Sequence, residues 1–230
     1  MVAAIIVAAG KGTRMKELLP KQYLTLAGLP ILTRTLLVFE GCALINQIIV
    51  VITPDHVDYC KKNIILPANL TKKYCLVPGG KRRQDSVYNG LKRVDPNCAI
   101  VVIHDGVRPF VQDNQLNACI SGAQKNGACI LGVPAYDTLK QADDSGSTIK
   151  TLPRDNVWLA QTPQAFRYDL IKRAHEEAQS EGYTGTDDAS LVERLGEDVT
   201  IIEGCRSNLK ITNQEDLNIA ECLLDASLSD

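Results

Sequence analysis

The chain has 230 residues, 45% of them apolar and 5% aromatic, with a formal net charge of −2 at pH 7. That length can bury a sizeable core within one domain, residues 1–230, and the near-neutral balance gives no general affinity for nucleic acid or anionic membranes. No apolar run reaches the ~20 residues of a membrane helix, and the apolar N-terminus lacks the basic region and cleavage site of a signal peptide, so it is expected to be a first strand.

Ala3 to Ala9 forms that strand, apolar without interruption as in a strand buried on both faces. Gly10 and Gly12 end it, and Arg14 and Lys21 place two cations beyond. Glycine allows positive φ and close approach of a ligand to the backbone. The spacing then predicts a helix from Pro30 to Glu40 with Gly41 as its stop. Gln47–Ile52 reads as a buried strand, followed by a helix to about Asn63. Tyr74–Val77 is a third strand, Arg83–Val94 a helix, and Ala99–Ile103 the clearest buried strand, running into His104-Asp105-Gly106-Val107-Arg108-Pro109. A helix over Asp113–Asn126 and a strand over Ala128–Pro134 follow.

Residues 135–156 break the alternation, with two short polar-apolar runs around Asp143-Asp144-Ser145-Gly146-Ser147, the pattern of a β-hairpin. Such an arm cannot bury both faces by itself, so it packs on another subunit or covers a site. Trp158–Gln161 reads as a return strand. Arg167–Gln179 and Asp188–Leu195 read as helices, Val199–Ile202 and Leu209–Ile211 as late strands, and Gln214–Leu224 as a closing helix. Alternating strands and helices predict an α/β fold with a largely parallel sheet, whose loops 10–21, 78–86 and 104–109 meet at the strands' carboxyl ends.

The eight cysteines stand singly with no Cys-x-x-Cys pair, so zinc-ribbon and thioredoxin-like motifs are not supported. Buried free thiols in a reducing, cytoplasmic compartment are expected.

A glycine turn after a buried strand, followed by fixed positive charge, is suited to a polyphosphate. The turn is neither Gly-x-Gly-x-x-Gly, because Met15 takes the third glycine position, nor a Walker A loop, because no Gly-Lys-Ser/Thr follows. Other candidate residues have plainer explanations. Asp105 can be a turn-former paired with Arg108, and Lys210 an edge-strand lysine. Thr186-Asp187-Asp188 reads as a helix cap. His56 and His175 are expected at the surface, and His104 as structural.

Ala8-Ala9-Gly10-x-Gly12-x-Arg14-Met15 with Pro20-Lys21-Gln22-Tyr23 resembles the nucleotidyltransferases that activate sugars and polyols. Further segments extend the likeness: Gly79-Gly80-x-x-Arg83-x-x-Ser86-Val87, His104-Asp105-x-x-Arg108-Pro109, Asp137-Thr138-x-Lys140, Gln161-Thr162-Pro163-Gln164-Ala165-Phe166, Thr186-Asp187-Asp188-Ala189-Ser190 and Asn208-Leu209-Lys210-Ile211-Thr212. In this order they resemble the 2-C-methyl-D-erythritol 4-phosphate cytidylyltransferase family. The ribitol-5-phosphate cytidylyltransferases share the first loop and the His-Asp-x-x-Arg-Pro segment. Gly106-Val107 departs from the more usual Ala-Ala or Gly-Ala of the family.

The resemblance implies a Rossmann-like nucleotidyltransferase fold: a mainly parallel twisted sheet flanked by helices, with 135–156 as an extended β-hairpin arm for dimerisation. It implies CTP and a polyol phosphate as substrates and a homodimer with arm exchange. Mg²⁺ is implied as cofactor, bound mainly through the CTP phosphates rather than by a protein ligand set. It assigns transition-state stabilisation to Arg14 and Lys21, and positioning of the attacking phosphate to Arg154 and Lys210. It places Ala8, Ala9, Gly10, Lys11, Gly12, Gly80, Ser86, Asp105 and Gly106 against the nucleotide, and Asp105, Arg108, Thr138, Arg154, Thr162, Thr186 and Lys210 against the polyol phosphate. The implied reaction transfers CMP from CTP to 2-C-methyl-D-erythritol 4-phosphate. The rival readings are the same chemistry on ribitol 5-phosphate and a nucleotide-binding regulatory domain without turnover.

Overall fold

The computed structural model describes residues 1–10 and 19–227. Strand β1 (Val2–Ala8) is followed by a 3₁₀ turn at Lys21–Tyr23, β2 (Thr25–Leu26), β3 (Leu29–Pro30), α1 (Ile31–Gly41), β4 (Gln47–Ile52), α2 (Val57–Cys60) and α3 (Leu66–Ala68). Then come β5 (Lys73–Pro78), α4 (Arg83–Leu91), β6 (Ile100–Asp105), α5 (Asp113–Asn126) and β7 (Ala128–Pro134). The chain closes with β8 (Leu139–Ala142), β9 (Thr148–Leu152), β10 (Trp158–Arg167), α6 (Tyr168–Ser180), α7 (Asp188–Arg194), β11 (Thr200–Glu203) and α8 (Gln214–Ser227).

Seven strands form one sheet in the order β11-β7-β10-β6-β1-β4-β5. β1 runs parallel to β4 and β6, β4 to β5, and β11 to β7, while β10 is antiparallel to both its neighbours. The uninterrupted apolar runs follow from burial on both faces. Ala4, Ile6 and Ala8 of β1 pack in one layer with Leu32, Leu36 and Phe39 of α1 and Leu116 and Ile120 of α5. Ala3 and Ile5 face the other layer, with Val87 and Leu91 of α4, Leu170 and Ile171 of α6 and Leu191 of α7.

The register aligns the strand ends. Val7 lies opposite Asp105, Ala8 opposite Ile52, and Ile52 opposite Pro78. The connections after β1, β4, β5 and β6 therefore leave the sheet at one edge, as expected for an open α/β fold.

Several elements differ from the sequence reading. β6 continues through His104 and Asp105, because β1 still offers partners there (Ile6 and Val7) and the ladder closes only with Gly106 N donating to Val7 O at 2.9 Å. β10 runs on to Arg167 instead of stopping at Gln161. A register shift between Ala160 and Gln164 carries Pro163, which has no N–H to donate, past the ladder. The helix after β4 reaches Ala68 by way of a π turn at Lys61–Ile65. Leu209–Ile211 is not a strand: Ile211 N donates to Val107 O in a loop, and its buried side chain joins a small cluster with Leu26, Ile31 and Leu217. The β2–β3 hairpin was not legible beforehand; Ala27 and Gly28 both take positive φ (44° and 82°), as a two-residue hairpin turn of the I′ type requires. The arm is a separate two-stranded sheet, β8 with β9, in antiparallel register.

Gly90 on α4 faces β1 and β4; an added Cβ would lie 2.8 Å from Ile5 Cγ2 and 3.1 Å from Val51 Cγ2. Gly90→Ala gains ~1 kcal/mol of helix propensity but overpacks the helix–sheet contact at a cost of ~1–3 kcal/mol. The urea midpoint of this variant is expected to fall. A raised midpoint would mean that α4 can move off the sheet freely.

Candidate functional site

The centre of the site is Asp105, at the end of β6 and only 6% exposed. Its Oδ2 accepts from Lys210 Nζ at 2.6 Å and its Oδ1 from Arg83 Nε at 3.2 Å. Arg108 Nε stands at 3.9 Å, too far for a hydrogen bond. Burial alone raises the carboxyl pKa, but Arg83, Lys210 and Arg108 outweigh it and hold Asp105 well below the usual carboxylate range. Burial pulls the Arg108 guanidinium below its ordinary value, though an arginine stays charged throughout the usual pH range.

Local hydrogen bonds bring these side chains together. Asp105 N donates to Thr162 Oγ1 at 3.1 Å, fixing the strand end against the β10 bulge. Fully buried Asn208 donates to Thr162 O at 2.8 Å and to Gln161 Oε1 at 3.3 Å, and Gln161 Nε2 donates to Cys205 O at 2.9 Å. These bonds hold the segment after β11 along the bulge, and Lys210 arrives at Asp105 as a result. Arg108 Nη1 donates to Asn208 O at 2.6 Å, and His104 Nε2 meets Arg108 O at 3.0 Å. The facing oxygen is a carbonyl, so Nε2 carries the proton of the neutral ring. A cleft of about 280 Å³, open to solvent, is bordered by Arg83, Asp105, Arg108, Thr162, Thr186 and Lys210.

Beside it lies the edge formed by the end of β1. Gln22 Nε2 donates to Ala8 O at 2.7 Å and Gly10 O at 3.1 Å, and Thr53 Oγ1 to Ala9 O at 3.3 Å. Gly79 packs so closely that a Cβ would lie 2.3 Å from that of Ala9. Gly80 N donates to Ser86 Oγ at 3.0 Å, and Ser86 Oγ to Arg82 O at 3.1 Å. On the other side a Cβ on Gly106 would meet Leu32 at 2.9 Å and Ala8 at 3.0 Å. A concave strip of backbone with little side-chain bulk results. The positive φ that glycine allows is not used at Gly10; the close approach occurs at Gly79 and Gly106.

The family profile "IspD: 2-C-methyl-D-erythritol 4-phosphate cytidylyltransferase" matches residues 2–226. The chain belongs to this family. A cytidylyltransferase of that name from Pelotomaculum thermopropionicum is 44% identical over 225 residues, covering 98% of this chain and 94% of its own. One from Clostridioides difficile is 46% identical over 231 residues, covering 100% and 96%. The crystal structure of 4-diphosphocytidyl-2C-methyl-D-erythritol synthase from Anaerococcus prevotii superposes with a TM-score of 0.86 at 35% identity, covering 97% of this chain and 96% of that one. The Thermus thermophilus cytidylyltransferase structure gives 0.81 at 30% identity, covering 98% and 100%. The α/β architecture is thus the nucleotidyltransferase fold of this cytidylyltransferase family.

Of the residues singled out in the sequence, Asp105, Arg108, Thr162, Thr186 and Lys210 border one cleft. Ala8, Ala9, Gly10, Gly80, Ser86 and Gly106 gather at the adjoining edge. Lys11, Gly12 and Arg14 lie outside the described residues. Lys21 opens the 3₁₀ turn, and its charge helps lower the Asp216 carboxyl, whose hydrogen bonds to Thr212 and Asn213 act in the same direction against burial. Thr138 and Arg154 sit exposed on the arm and do not border their own chain's cleft; Arg154 donates to Tyr136 O.

Two plain readings are overturned. Lys210 is not a solubilising edge lysine, because it is paired with Asp105. The turn and ion pair read between Asp105 and Arg108 are present, with Arg108 N donating to Asp105 O at 3.1 Å and Nε 3.9 Å from Oδ2, but Lys210 and Arg83 lie closer to the carboxylate. His175 is not at the surface either: it is 1% exposed and bonded to Asp188. Asp187 does cap α7, accepting from Ser190 N at 2.9 Å. Sequence reasoning gave no role to Arg83, Gln22, Gln161 or Asn208. All four stood in the matched segments, but their work is in contacts across the chain that spacing does not reveal.

Among the described residues no cluster of three His, Cys, Asp or Glu side chains could hold a metal. Asp105 is the carboxylate bordering the cleft near the backbone edge. One such carboxylate together with substrate phosphate oxygens is a donor set that fits a hard divalent cation.

His104 is fully buried, and burial pushes its pKa from 6.5 down to about 4. The unfolded chain therefore takes up a proton at His104 below pH 6.5, whereas the folded chain resists until about pH 4. The contribution of this group to stability is present above pH 6.5 and is lost as pH falls towards 4. Urea midpoints measured across that window should fall less steeply for His104→Gln than for the unaltered chain. Equal slopes would remove His104 as the cause.

Proposed function

We propose that the Asp105–Lys210 cleft receives the phosphorylated polyol and that the edge at Ala8–Gly10, Gly80 and Ser86 receives the nucleotide. The enzyme transfers CMP from CTP to 2-C-methyl-D-erythritol 4-phosphate, giving 4-diphosphocytidyl-2-C-methyl-D-erythritol and pyrophosphate, a step towards isoprenoid precursors. The observation that carries the assignment of the two sites is the meeting of Lys210, Arg83 and Arg108 around one buried carboxylate, directly beside a side-chain-poor backbone edge.

The chemistry requires little acid–base help. A phosphate monoester has a second pKa of about 6 and is largely a dianion near neutral pH. Its oxygen forms a bond to the CTP α-phosphorus while the bond from that phosphorus to the bridging oxygen breaks, and pyrophosphate leaves with the electron pair. The obstacle is the approach of two anions and the charge that grows on the α-phosphoryl and leaving oxygens. Positioning and electrostatic stabilisation therefore carry catalysis. Lys210 and Arg108 orient the acceptor phosphate; Arg14 and Lys21 stabilise the transition state. The backbone from Ala9 to Gly12 cradles the triphosphate, with Lys11 beside it, and Gly80 and Ser86 bond the cytosine. Thr162 and Thr186 border the polyol. Mg²⁺ bound mainly through the CTP phosphate oxygens, with Asp105 nearby, would supply further charge neutralisation.

The assembly belongs to the same proposal. The chain is one domain over 1–230, and the 135–156 arm reaches the site of a second copy, where Thr138 and Arg154 meet the acceptor phosphate. Their positions away from their own cleft support this, as do exposed Tyr136, Ile149 and Leu159 on and beside the arm. The free cysteines suit a cytoplasmic setting.

Pyrophosphate release with CTP, Mg²⁺ and methylerythritol phosphate tests the reaction. Turnover with ribitol 5-phosphate instead would favour the near rival, and silence with both would favour a regulatory domain. Lys210→Ala should lower kcat/KM for the acceptor by on the order of 10²-fold, similar to losing one charged donor. An unchanged value would remove Lys210 from its role. Heterodimers of Arg154→Ala and Lys21→Ala subunits should regain part of the activity that each homodimer lacks, because one of the two mixed sites carries neither change. Confirmed heterodimers without recovery would exclude exchange of the arm.

A further inference from the structure

A chain of polar contacts runs from the interior of the α4–α6–α7 layer to the site, and its inner members, His175 and Asp188, have no role in the reaction just described. His175 on α6 and Asp188 at the start of α7 are each 1% exposed, and His175 Nε2 lies 3.1 Å from Asp188 Oδ1. The other oxygen, Oδ2, accepts from Arg83 Nη1 at 2.6 Å. The same guanidinium turns its Nε to Asp105 Oδ1, and Asp105 Oδ2 accepts from Lys210.

We propose that Asp188, held in place by His175, is a positioning residue for the transfer reaction, fixing Arg83 so that Asp105 presents one oxygen to Lys210. The inference rests on the assignment of the Asp105–Lys210 cleft to the acceptor phosphate.

Three observations support it. First, Asp188 is not needed as a helix cap, since Asp187 fills that place and Ser190 answers it. A buried carboxylate without such a duty costs desolvation that only its partners offset. Second, the two contacts of Arg83 use different nitrogens of one rigid plane, Nε for Asp105 and Nη1 for Asp188. A planar fork that engages two carboxylates fixes the angle between them, which a lysine could not do. Third, the imidazole of His175 has its polar contact at Asp188; Nδ1 has no partner among the described residues. Tyr88 of α4 stacks on it at 6.2 Å with planes 7° apart. The ring thus ties Asp188 to α6 and α4 at once. Without Asp188, Arg83 would keep one carboxylate, and the plane of Asp105 would be free to turn with Lys210.

The test is a double-mutant cycle on purified full-length enzyme, with CTP saturating and methylerythritol phosphate varied. Asp188→Asn keeps the shape and removes the charge. At a temperature where circular dichroism shows it folded, kcat/KM for the acceptor should fall roughly tenfold, the cost of one charge-assisted hydrogen bond. In a Lys210→Gln background the same substitution should cost less than about threefold, because the route through Asp105 has lost its end. Equal losses in both backgrounds would overturn the proposal, as would an unchanged kcat/KM in folded Asp188→Asn. Should Asp188→Asn fail to fold, His175→Gln, which leaves the Asp188–Arg83 pair in place, carries the same cycle: a smaller loss that shrinks further in the Lys210→Gln background supports the proposal, and equal losses or none overturn it. Near-normal activity of Lys210→Gln by itself would instead defeat the assignment of the cleft, so the two failures are distinguishable.

Discussion

A carboxylate almost removed from water, with cations on three sides, is the interaction on which this site depends. Asp105 alone at the end of β6 would be driven to take up a proton by burial. Arg83 and Lys210 in contact with it, and Arg108 nearby, keep it charged, and it keeps them close together in return. Three positive side chains in so small a volume would repel one another without it. The cleft can therefore hold concentrated positive charge that Asp105 partly offsets.

The second constraint is steric. Ala8 ends β1 and Ala9 follows it, Gly79 lies so close to Ala9 that it has no space for a methyl group, and at Gly106 one would press on Leu32 and Ala8. Small residues on three neighbouring connections leave backbone groups as the lining, and backbone N–H groups suit an extended anion and a planar base. The flush register of β1, β4, β5 and β6 makes this possible, since a stagger of one residue would bring a strand side chain into the strip.

Most of the fold was legible because its strands are apolar on both faces and its helices have one apolar stripe. Gln47–Ile52, Asp113–Asn126 and Ala128–Pro134 agree with the sequence reading residue for residue. Reading failed where polar side chains sit inside a ladder. His104 and Asp105 looked like a loop because they are polar, yet the backbone of β1 still pairs with them. Gln161, Thr162 and Gln164 disguised the second half of β10 in the same way. The site was legible as a set of segments but not as a network. Lys210 had a sound explanation as a surface residue, and only the tether through Asn208 to Thr162 O brings it to Asp105. His175 looked like a surface residue on an amphipathic helix. Its burial is decided by α7, the next helix in the chain, whose Asp188 bonds to it, and by Tyr88 of α4, and the spacing of α6 alone does not show which neighbours cover that face.

The position of β10 has a consequence for how the protein is made. It is the one strand antiparallel to the rest, and it lies between β6 and β7, although both are synthesised before it. Until β10 is made, β6 lacks its partner on one side, and β7 lacks the strand that joins it to the sheet. The arm is then spun out before β10 returns to join the two. Asp105 meets Thr162, and the cleft acquires its far wall, only at that late insertion. Until β10 is made, β6 thus carries an unpaired apolar edge, the kind of surface on which nascent chains aggregate and chaperones act.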